Sequence, residues 1–326
     1  MKVTSLLLLF SLGVFINADS EWNCIILLNN TLAPNVVWTK YNCTGHITTP
    51  SISRVGPIIV NLVQAALSNS SDSPLLRPAV AQTPLGLAKL HELADTAAAL
   101  DFKPLVGVNG GFFFEVDNSG FFDDVCFGKL RYEALKNVSD SNPNYGIGDS
   151  LTILNGVYAS NNCDKIGNSE PVAAILDFPP RFVQLERAGK LPNSVKWAIG
   201  AGPNLVSYNT STNTSYIDIE GDNVNILEHA SNTGLAMRGS DFLMVVFDGE
   251  DGCVEFKPTC GINSHQFAAF LLDFLKVDTA MELDQGGSTA MWILGQPGTV
   301  PGETGIVSNP GHSERELFNG LFIGVP

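Results

Sequence analysis

Apolar residues along the chain fall into short runs that end at glycine, proline, asparagine or aspartate. Runs of this length, rich in β-branched and aromatic residues, are typical of buried strands that end in turns. The pattern therefore predicts strands at Leu105–Val108, Val172–Leu176, Val195–Gly200, Leu243–Phe247 and Leu321–Ile323.

Two segments instead repeat apolar residues at helical spacing. The segment Leu85–Leu100 follows Pro84, which suits a first helical position, and Asn263–Lys276 carries an apolar stripe with Ser264 as a candidate cap. Many strands and two helices without regular βαβ alternation predict an α+β fold with mixed, largely antiparallel sheets and a few packed helices. No repeat or linker divides residues 21–326, so we expect a single domain.

The first 20 residues have the features of a secretory signal peptide. Lys2 supplies the positive end, Leu6–Phe10 opens an apolar segment, and Ala18–Ser20 fits a cleavage site between small residues. The segment is too short for a membrane span, and no later apolar run is long enough for one. The sequence thus predicts a product in the secretory pathway, the lysosomal lumen or the outside medium.

Cysteines and glycosylation motifs agree with this location. An even number of cysteines in an oxidising compartment predicts disulfides, and the order along the chain favours Cys24–Cys43, Cys126–Cys163 and Cys253–Cys260 among fifteen connectivities. Asn-x-Ser/Thr motifs predict N-glycosylation at Asn29, Asn42, Asn69, Asn137, Asn209 and Asn213.

The net charge of −15 makes nucleic acid an unsuitable partner, because such binding needs a basic surface. The oligomeric state, the pH optimum and the sugar are not predicted by the sequence. Motifs of common nucleophile elbows, nucleotide-binding loops and zinc sites do not occur. The turn Asp248–Asp251 has enough carboxylates for a structural Ca²⁺, but it lacks the full spacing of a calcium loop, so we expect neither a metal nor a cofactor.

Four turns follow strongly apolar strands and offer polar groups at their ends: Asn109-Gly110-Gly111, Gly200–Asn204, Asp248-Gly249 and Asp284–Ser288. Tandem glycines let the backbone turn sharply and approach a ligand closely. If the four strands are neighbours, the turns form one polar pocket at the edge of a sheet. Each turn by itself is equally compatible with an ordinary hairpin, in which Asp284 would only cap its turn.

Several motifs in the same order resemble the phosphodiester glycosidase family. They are Asn109–Phe113, Gly200–Val206, Leu283–Ser288 with the helical segment before it, Val307–Pro310 and Arg315–Leu321. The resemblance covers about residues 55–326, which would form the core of the domain. It implies a hydrolase that cleaves a sugar-1-phosphodiester, of the N-acetylglucosamine-1-phosphodiester type, into free sugar and phosphomonoester.

The resemblance also implies roles for the residues that match these motifs. Asp284 and Asn109 would be catalytic, with Asp284 as a base, a nucleophile or a stabiliser of the positively charged sugar. The substrate would be bound by Gly110, Gly111, Asn204, Asp248, Gly286, Gly287, Ser288, Thr289 and Arg315. Arg315 would bind the phosphate, although an ion pair with Glu314 or Glu316 is the alternative.

Three positions differ from the family pattern. Glu282 and Gln285 replace an asparagine and a glycine around Asp284, and Asn232 aligns with an arginine. Loss of that arginine removes a bidentate phosphate ligand. A second hypothesis is therefore a catalytically impaired sugar-binding or interaction protein on the same scaffold. A third is a glycosidase with paired carboxylates, Asp284 with Asp248 or Glu282.

Overall fold

The computed structural model describes residues 20–47, 55–81, 86–115, 146–148, 150–160, 172–185, 190–219, 227–249, 260–299, 304–308 and 314–326. The described strands in chain order are β1 Ser20–Ala33, β2 Val36–Ile47, β3 Val55–Ala66, β4 Leu75–Val80, β5 Lys103–Asn109, β6 Phe113–Glu115, β7 Gly146–Gly148, β8 Thr152–Leu154, β9 Val157–Ser160, β10 Val172–Ile175, β11 Arg181–Gln184, β12 Ala198–Ala201, β13 Asn204–Asn209, β14 Thr214–Ile217, β15 Asn232–Arg238, β16 Asp241–Phe247, β17 Thr279–Glu282, β18 Met291–Pro297, β19 Thr304–Ser308 and β20 Asn319–Val325. The described helices are α1 Leu90–Ala98 and α2 Ser264–Ala269.

These strands form three main sheets and one small ribbon. The largest sheet has eight strands in the order β1-β2-β3-β16-β15-β17-β13-β14. Two five-stranded sheets have the orders β11-β10-β12-β8-β9 and β19-β18-β5-β20-β4, and β6 pairs with β7. Every described pairing is antiparallel. The expected α+β class therefore fits only roughly, because antiparallel strands dominate and helices are few.

The main core lies between the large sheet and both five-stranded sheets. Side chains alternate between the two faces of a strand, so each strand contributes every second residue to this core. The large sheet contributes residues such as Leu235 and Met244, the sheet of β10 and β12 contributes Ile199, and the sheet of β5 contributes Val106 and Ile323. Strand ends of different sheets consequently meet along the edges of this core.

Helix α2 covers the opposite face of the large sheet. Phe267 in α2 and Phe270 in the π-helical turn that follows, Phe270–Phe274, pack on Phe247 of β16 with ring centroids 5.4 and 4.6 Å apart. Helix α1 covers the outer face of the sheet that contains β5, because Leu90, Leu93, Ala94 and Ala97 form its buried stripe. Both predicted helices are therefore present.

The boundaries of both helices differ from the predictions. Helix α1 begins at Leu90 rather than near Leu85, because Ala88 exchanges backbone hydrogen bonds with Leu317 and cannot join the helix. Helix α2 is capped by Asn263 rather than Ser264, since the Asn263 side chain accepts from the Gln266 N–H at 2.9 Å. Ser264 becomes the first helical residue and is buried.

The five predicted strands all occur, with ends shifted by a few residues. The predicted disulfide Cys24–Cys43 is confirmed, and Cys260 is also disulfide-bonded. Cys126, Cys163 and Cys253 lie outside the described residues, as do residues 1–19 of the predicted signal peptide and Asn137. Across the described part of the chain, no helix has the length and apolarity needed to cross a membrane.

Candidate active site

Four chain segments meet where strands of different sheets end: the end of β5, the loop after β17, the start of β15 and the start of β20. At their centre is the side chain of Asn109, which is fully buried. Its amide nitrogen donates to the Asp284 carbonyl at 2.7 Å, and its amide oxygen accepts from the Thr233 hydroxyl at 2.6 Å and the Ala290 N–H at 3.1 Å. These contacts show that Asn109 ties strand ends together, and its predicted catalytic role stays a prediction.

The two glycines after β5 also serve the packing of this junction. The Gly110 N–H donates to the Asn319 carbonyl at 3.0 Å, and the Gly111 N–H donates to the Asn319 side chain at 3.0 Å. A Cβ at Gly110 would lie 1.9 Å from Asn319 Oδ1, and one at Gly111 would lie 2.0 Å from the Gly200 carbonyl. Glycine is required for this close approach, and both N–H groups donate within the protein. The predicted contact of the two glycines with substrate stays a prediction.

The loop that follows Asp284 forms a 3₁₀ turn over Gly286–Ser288. Gly286 has a φ of 66°. Its N–H donates to the Ser231 carbonyl at 2.9 Å, and the Ser231 hydroxyl donates to the Gly286 carbonyl at 2.8 Å. The buried Thr289 hydroxyl donates to the Ser231 carbonyl at 3.1 Å. Gly287 is partly exposed. Ser288 is buried, and its hydroxyl acts on the Asp284 carboxyl, whose pKa it lowers.

The carboxyl of Asp284 is the central acid of the site. Burial raises its pKa to about 6, while the Ser288 hydroxyl, the positive charge of Arg315 and the Gln285 N–H act in the opposite direction. The carboxyl is therefore mostly ionised at pH 7. A carboxylate of this pKa can accept a proton from water or stabilise a nearby positive charge.

Arg315 brings a cation to the same carboxyl. Its side chain is exposed, and the guanidinium lies 5.6 Å from the centre of the Phe113 ring. The neighbouring Glu314 is buried and bonded to His91, accepting from its N–H at 3.1 Å and contacting its Nδ1 at 2.6 Å. This contact anchors the segment that carries Arg315 to helix α1.

A second buried acid, Glu282, lies two residues before Asp284. The Asn232 side chain donates to Glu282 Oε1 at 2.6 Å and to the Gln285 side chain at 3.3 Å. Burial raises the pKa of Glu282 to about 7, with a further increase from the charge of Asp284, while Ser264 and Asn232 lower it. Asn232, Glu282 and Gln285 are the three positions that differ from the family pattern. In the structure Asn232 contacts both of the others.

Asp248 lies at the end of β16, and the turn after it packs on Ser231 of the same junction. Burial raises the pKa of Asp248 to about 6, against the effects of the Ser308 hydroxyl, which donates to it, and the charge of Lys40. Glu250 and Asp251 lie outside the described residues, and the described ones contain no group of three potential metal ligands. The calcium hypothesis is thus left untested.

Asn204 and Asn319 show what the local sequence pattern missed. The Asn204 amide donates to Ser207 at 2.8 Å and to Asp218 at 2.9 Å, and its predicted role in substrate binding stays a prediction. Asn319 had not been predicted as a site residue, yet its backbone and side chain hold both glycines after β5. In the sequence, the feature that indicated Asn319 was its pairing with Gly320 at the start of the last strand.

Together these features define a protein made of antiparallel sheets with a carboxylate-centred site at converging strand ends. An acid flanked by a hydroxyl, a second acid and one arginine suits the cleavage of a glycosidic bond next to an anionic group.

The comparison with protein families agrees. The phosphodiester glycosidase model matches residues 102–324, and the chain belongs to that family. The predicted membership is confirmed, and no curated protein sequence matches the chain.

Several solved structures share the fold. The catalytic domain of zebrafish N-acetylglucosamine-1-phosphodiester α-N-acetylglucosaminidase, described as auto-inhibited by its pro-peptide, aligns with a TM-score of 0.56 and 16% identity over 94% of this chain and 88% of its own. A putative exported protein of Burkholderia pseudomallei aligns with a TM-score of 0.55 and 10% identity. The alignment covers 94% of this chain and 97% of that protein. A hypothetical protein of Synechocystis aligns with a TM-score of 0.51 and 12% identity. The alignment covers 93% of this chain and 64% of that protein.

Proposed function

We propose that this protein hydrolyses a sugar-1-phosphodiester, of the N-acetylglucosamine-1-phosphodiester type, to free sugar and phosphomonoester. The observation that carries the proposal is the position of Asp284, whose carbonyl is held by Asn109 where strands of two sheets end and whose carboxyl feels the positive charge of Arg315, in a chain of the phosphodiester glycosidase family. The predicted signal peptide and the Cys24–Cys43 disulfide support the secretory pathway as the place of action.

In this reaction the bond between the anomeric carbon and the phosphate oxygen breaks, and the electron pair leaves with the phosphate. Water forms the new bond to the anomeric carbon, and Asp284 takes the proton that this water loses. Because a phosphomonoester is a good leaving group, a strong general acid is less necessary than in ordinary glycosidases. Asp284 also stabilises the positive charge that develops on the sugar.

Charge decides which residues bind which end of the substrate. Arg315 contributes positive charge at Asp284, whereas Asn232 and Glu282 contribute an amide and an acid. A phosphate is stabilised beside the guanidinium and is repelled by carboxylates. The phosphate is therefore assigned to Arg315, and the sugar to Gln285, Ser288 and Asn232.

Replacement of Asp284 by Asn tests the central role. The variant keeps the volume and polarity of the side chain but cannot take a proton, so we expect hydrolysis of a GlcNAc-1-phosphodiester to fall by at least about 100-fold. Release of free sugar is measured with purified protein, and circular dichroism checks the fold. Asp101→Asn, an exposed acid with a φ of 57° that asparagine tolerates, is the matched control. Full activity in Asp284→Asn would exclude the proposal.

Replacement of Arg315 by Gln tests the assignment of the phosphate. Loss of the guanidinium should raise KM for the phosphodiester about 10-fold or more and weaken inhibition by the phosphomonoester product by a similar factor. Inhibition by the free sugar should not change, because the sugar carries no charge for the guanidinium to bind. Equal loss of both inhibitions would contradict the assignment.

A second candidate function is sugar binding without turnover. It is favoured by Asn232, which stands at the position of the family's arginine and is bonded to Glu282 and Gln285 instead. Calorimetric titration of the protein with free N-acetylglucosamine, alongside the hydrolysis assay, separates the two. Sugar binding with no hydrolysis at any pH between about 4 and 8 supports this second function.

A further inference from the structure

The outer strand of the large sheet exposes a run of apolar side chains. Strand β1 pairs with β2 on one side and forms the edge of the sheet on the other. Four successive residues, Ile25, Ile26, Leu27 and Leu28, are 65, 57, 54 and 38% exposed. We call them the β1 apolar edge. A long strand edge with exposed apolar side chains tends to pair with another chain, so proteins protect such edges.

Few of the usual protections occur in this strand. Charged residues and proline discourage pairing at a strand edge, yet Glu21 is the only charged residue among the 14 of β1, and none of them is proline. A bulge between Ile26 and Leu28 interrupts the regular pairing with β2. The bulge twists the edge locally but leaves all four apolar side chains exposed to solvent.

Two glycosylation motifs border this edge. Asn29 follows Leu28 directly, and Asn42 on β2 is the register partner of Ile25. The register also tells which face each asparagine occupies. Asn42 alternates with Tyr41 and Cys43, which pack toward the α2 side, so it lies on the opposite face. Asn29 pairs with Thr39, which lies on the α2 side. One motif is therefore present on each face of the apolar edge.

We propose that N-linked oligosaccharides on Asn29 and Asn42 cover the β1 apolar edge and keep the protein from associating through it. Each side-chain amide nitrogen forms a bond to the anomeric carbon of the sugar. It thereby displaces the diphosphate of a lipid-linked oligosaccharide donor and loses a proton. A hydrated oligosaccharide on each face blocks a second strand sterically. The proposal needs passage through the secretory pathway but no catalytic activity of this chain, so it is independent of the reaction proposed above.

The test uses variants that remove each motif without changing its asparagine. Thr31→Ala and Thr44→Ala abolish the motifs of Asn29 and Asn42 at two exposed threonines. Ser71→Ala and Ser211→Ala abolish the exposed motifs of Asn69 and Asn209 and form the matched control pair. The full chain is secreted from eukaryotic cells, and site occupancy is measured by glycopeptide mass spectrometry. Molar mass is measured by light scattering after size-exclusion chromatography.

We expect occupied Asn29 and Asn42 in the wild type, association of the Thr31→Ala/Thr44→Ala protein with rising concentration, and no association of the control pair. Adding Leu27→Lys to the first double variant should restore the mass of the monomer. If the double variant is not secreted, trimming the folded wild type with an endoglycosidase provides the same comparison. Unmodified Asn29 and Asn42, or a deglycosylated protein that stays monomeric, would overturn the proposal.

Discussion

Glu282 and Asp284 place two acids at alternate positions of the chain, where β17 ends and the loop of the candidate site begins. Neither has a buried cation beside it among the contacts described, and burial is the largest cause of the raised pKa of each. Asn232 holds Glu282 through Oε1. Near neutral pH, Glu282 carries its proton for much of the time, which limits repulsion between the two acids and an anionic substrate.

Replacement of Glu282 by Gln should change how stability depends on pH. The pKa of folded Glu282 is about 7, against an ordinary value of 4.5. The folded state therefore binds more protons than the unfolded state in this window, and stability falls as pH rises through it. Glutamine does not ionise, so from about pH 4 to about pH 8 the variant should gain on the order of 3 kcal/mol relative to the wild type.

Chemical denaturation across this pH range measures the effect, with the exposed Glu228→Gln as the control. If the free energy of unfolding changes with pH in the same way for the wild type and for Glu282→Gln, then Glu282 does not hold its proton in the folded protein.

At the scale of elements, the site depends on contacts between sheets. Strand β5 pairs with β18 and β20, whereas β17 pairs with β13 and β15 in the large sheet. No ladder of backbone hydrogen bonds joins β5 to β17 in the described structure. The side chain of Asn109 makes that connection, since it bonds the loop after β17 and Thr233 of β15 at once. Asp284 is thereby fixed relative to both sheets.

Replacement of Asn109 by Ala should loosen this connection. It leaves the Ala290 N–H and the Thr233 hydroxyl without their acceptor in a buried place, which costs about 2–4 kcal/mol of stability. Activity should fall as well, because the Asp284 carbonyl loses its donor, although the bond from the Asp284 N–H to the Gly110 carbonyl at 3.1 Å remains. Denaturant titration and kcat measure the two effects. Asn204→Ala, which removes a partly buried amide outside this junction, serves as the comparison and should cost about 1 kcal/mol. An equal effect of the two substitutions would argue against the special role of Asn109.

At the scale of the whole molecule, the large sheet separates two regions with different tasks. Strands β15 and β17 carry the site, and β1 lies four strand positions away from β15, which corresponds to roughly 20 Å at the usual strand spacing. The disulfide Cys24–Cys43 joins β1 to β2 at the far side. The β1 apolar edge and the candidate active site are thus expected to respond to mutation independently.

Replacement of both Cys24 and Cys43 by Ser tests this independence. The disulfide closes a sequence separation of 19 residues, so its loss should destabilise the protein by about 2–4 kcal/mol. Amide hydrogen exchange should increase in β1 and β2, and kcat of the folded variant should not change. A loss of kcat without a change in exchange at the hairpin would show that the two regions are coupled.

The sequence alone predicted those features that local physical chemistry determines. Buried strands need continuous apolar runs, and both helices need an apolar stripe. The sequence therefore predicted that these strands and helices exist, but not the residues at which they begin and end. Tandem glycines after Asn109 and Asp284 marked the turns of the pocket for the same reason. The family and the Cys24–Cys43 pair could also be predicted.

The tertiary structure decided the tasks of individual polar residues. Asn109 and Asn319 were indistinguishable from possible ligands until their partners, 175 and 208 residues away along the chain, were known. Asn232 and Glu282, 50 residues apart, contact each other only because β15 and β17 are neighbours. A hydrogen bond depends on which groups lie within about 3 Å after folding. The order of strands in a sheet, which decides this, is set by the packing of the entire chain.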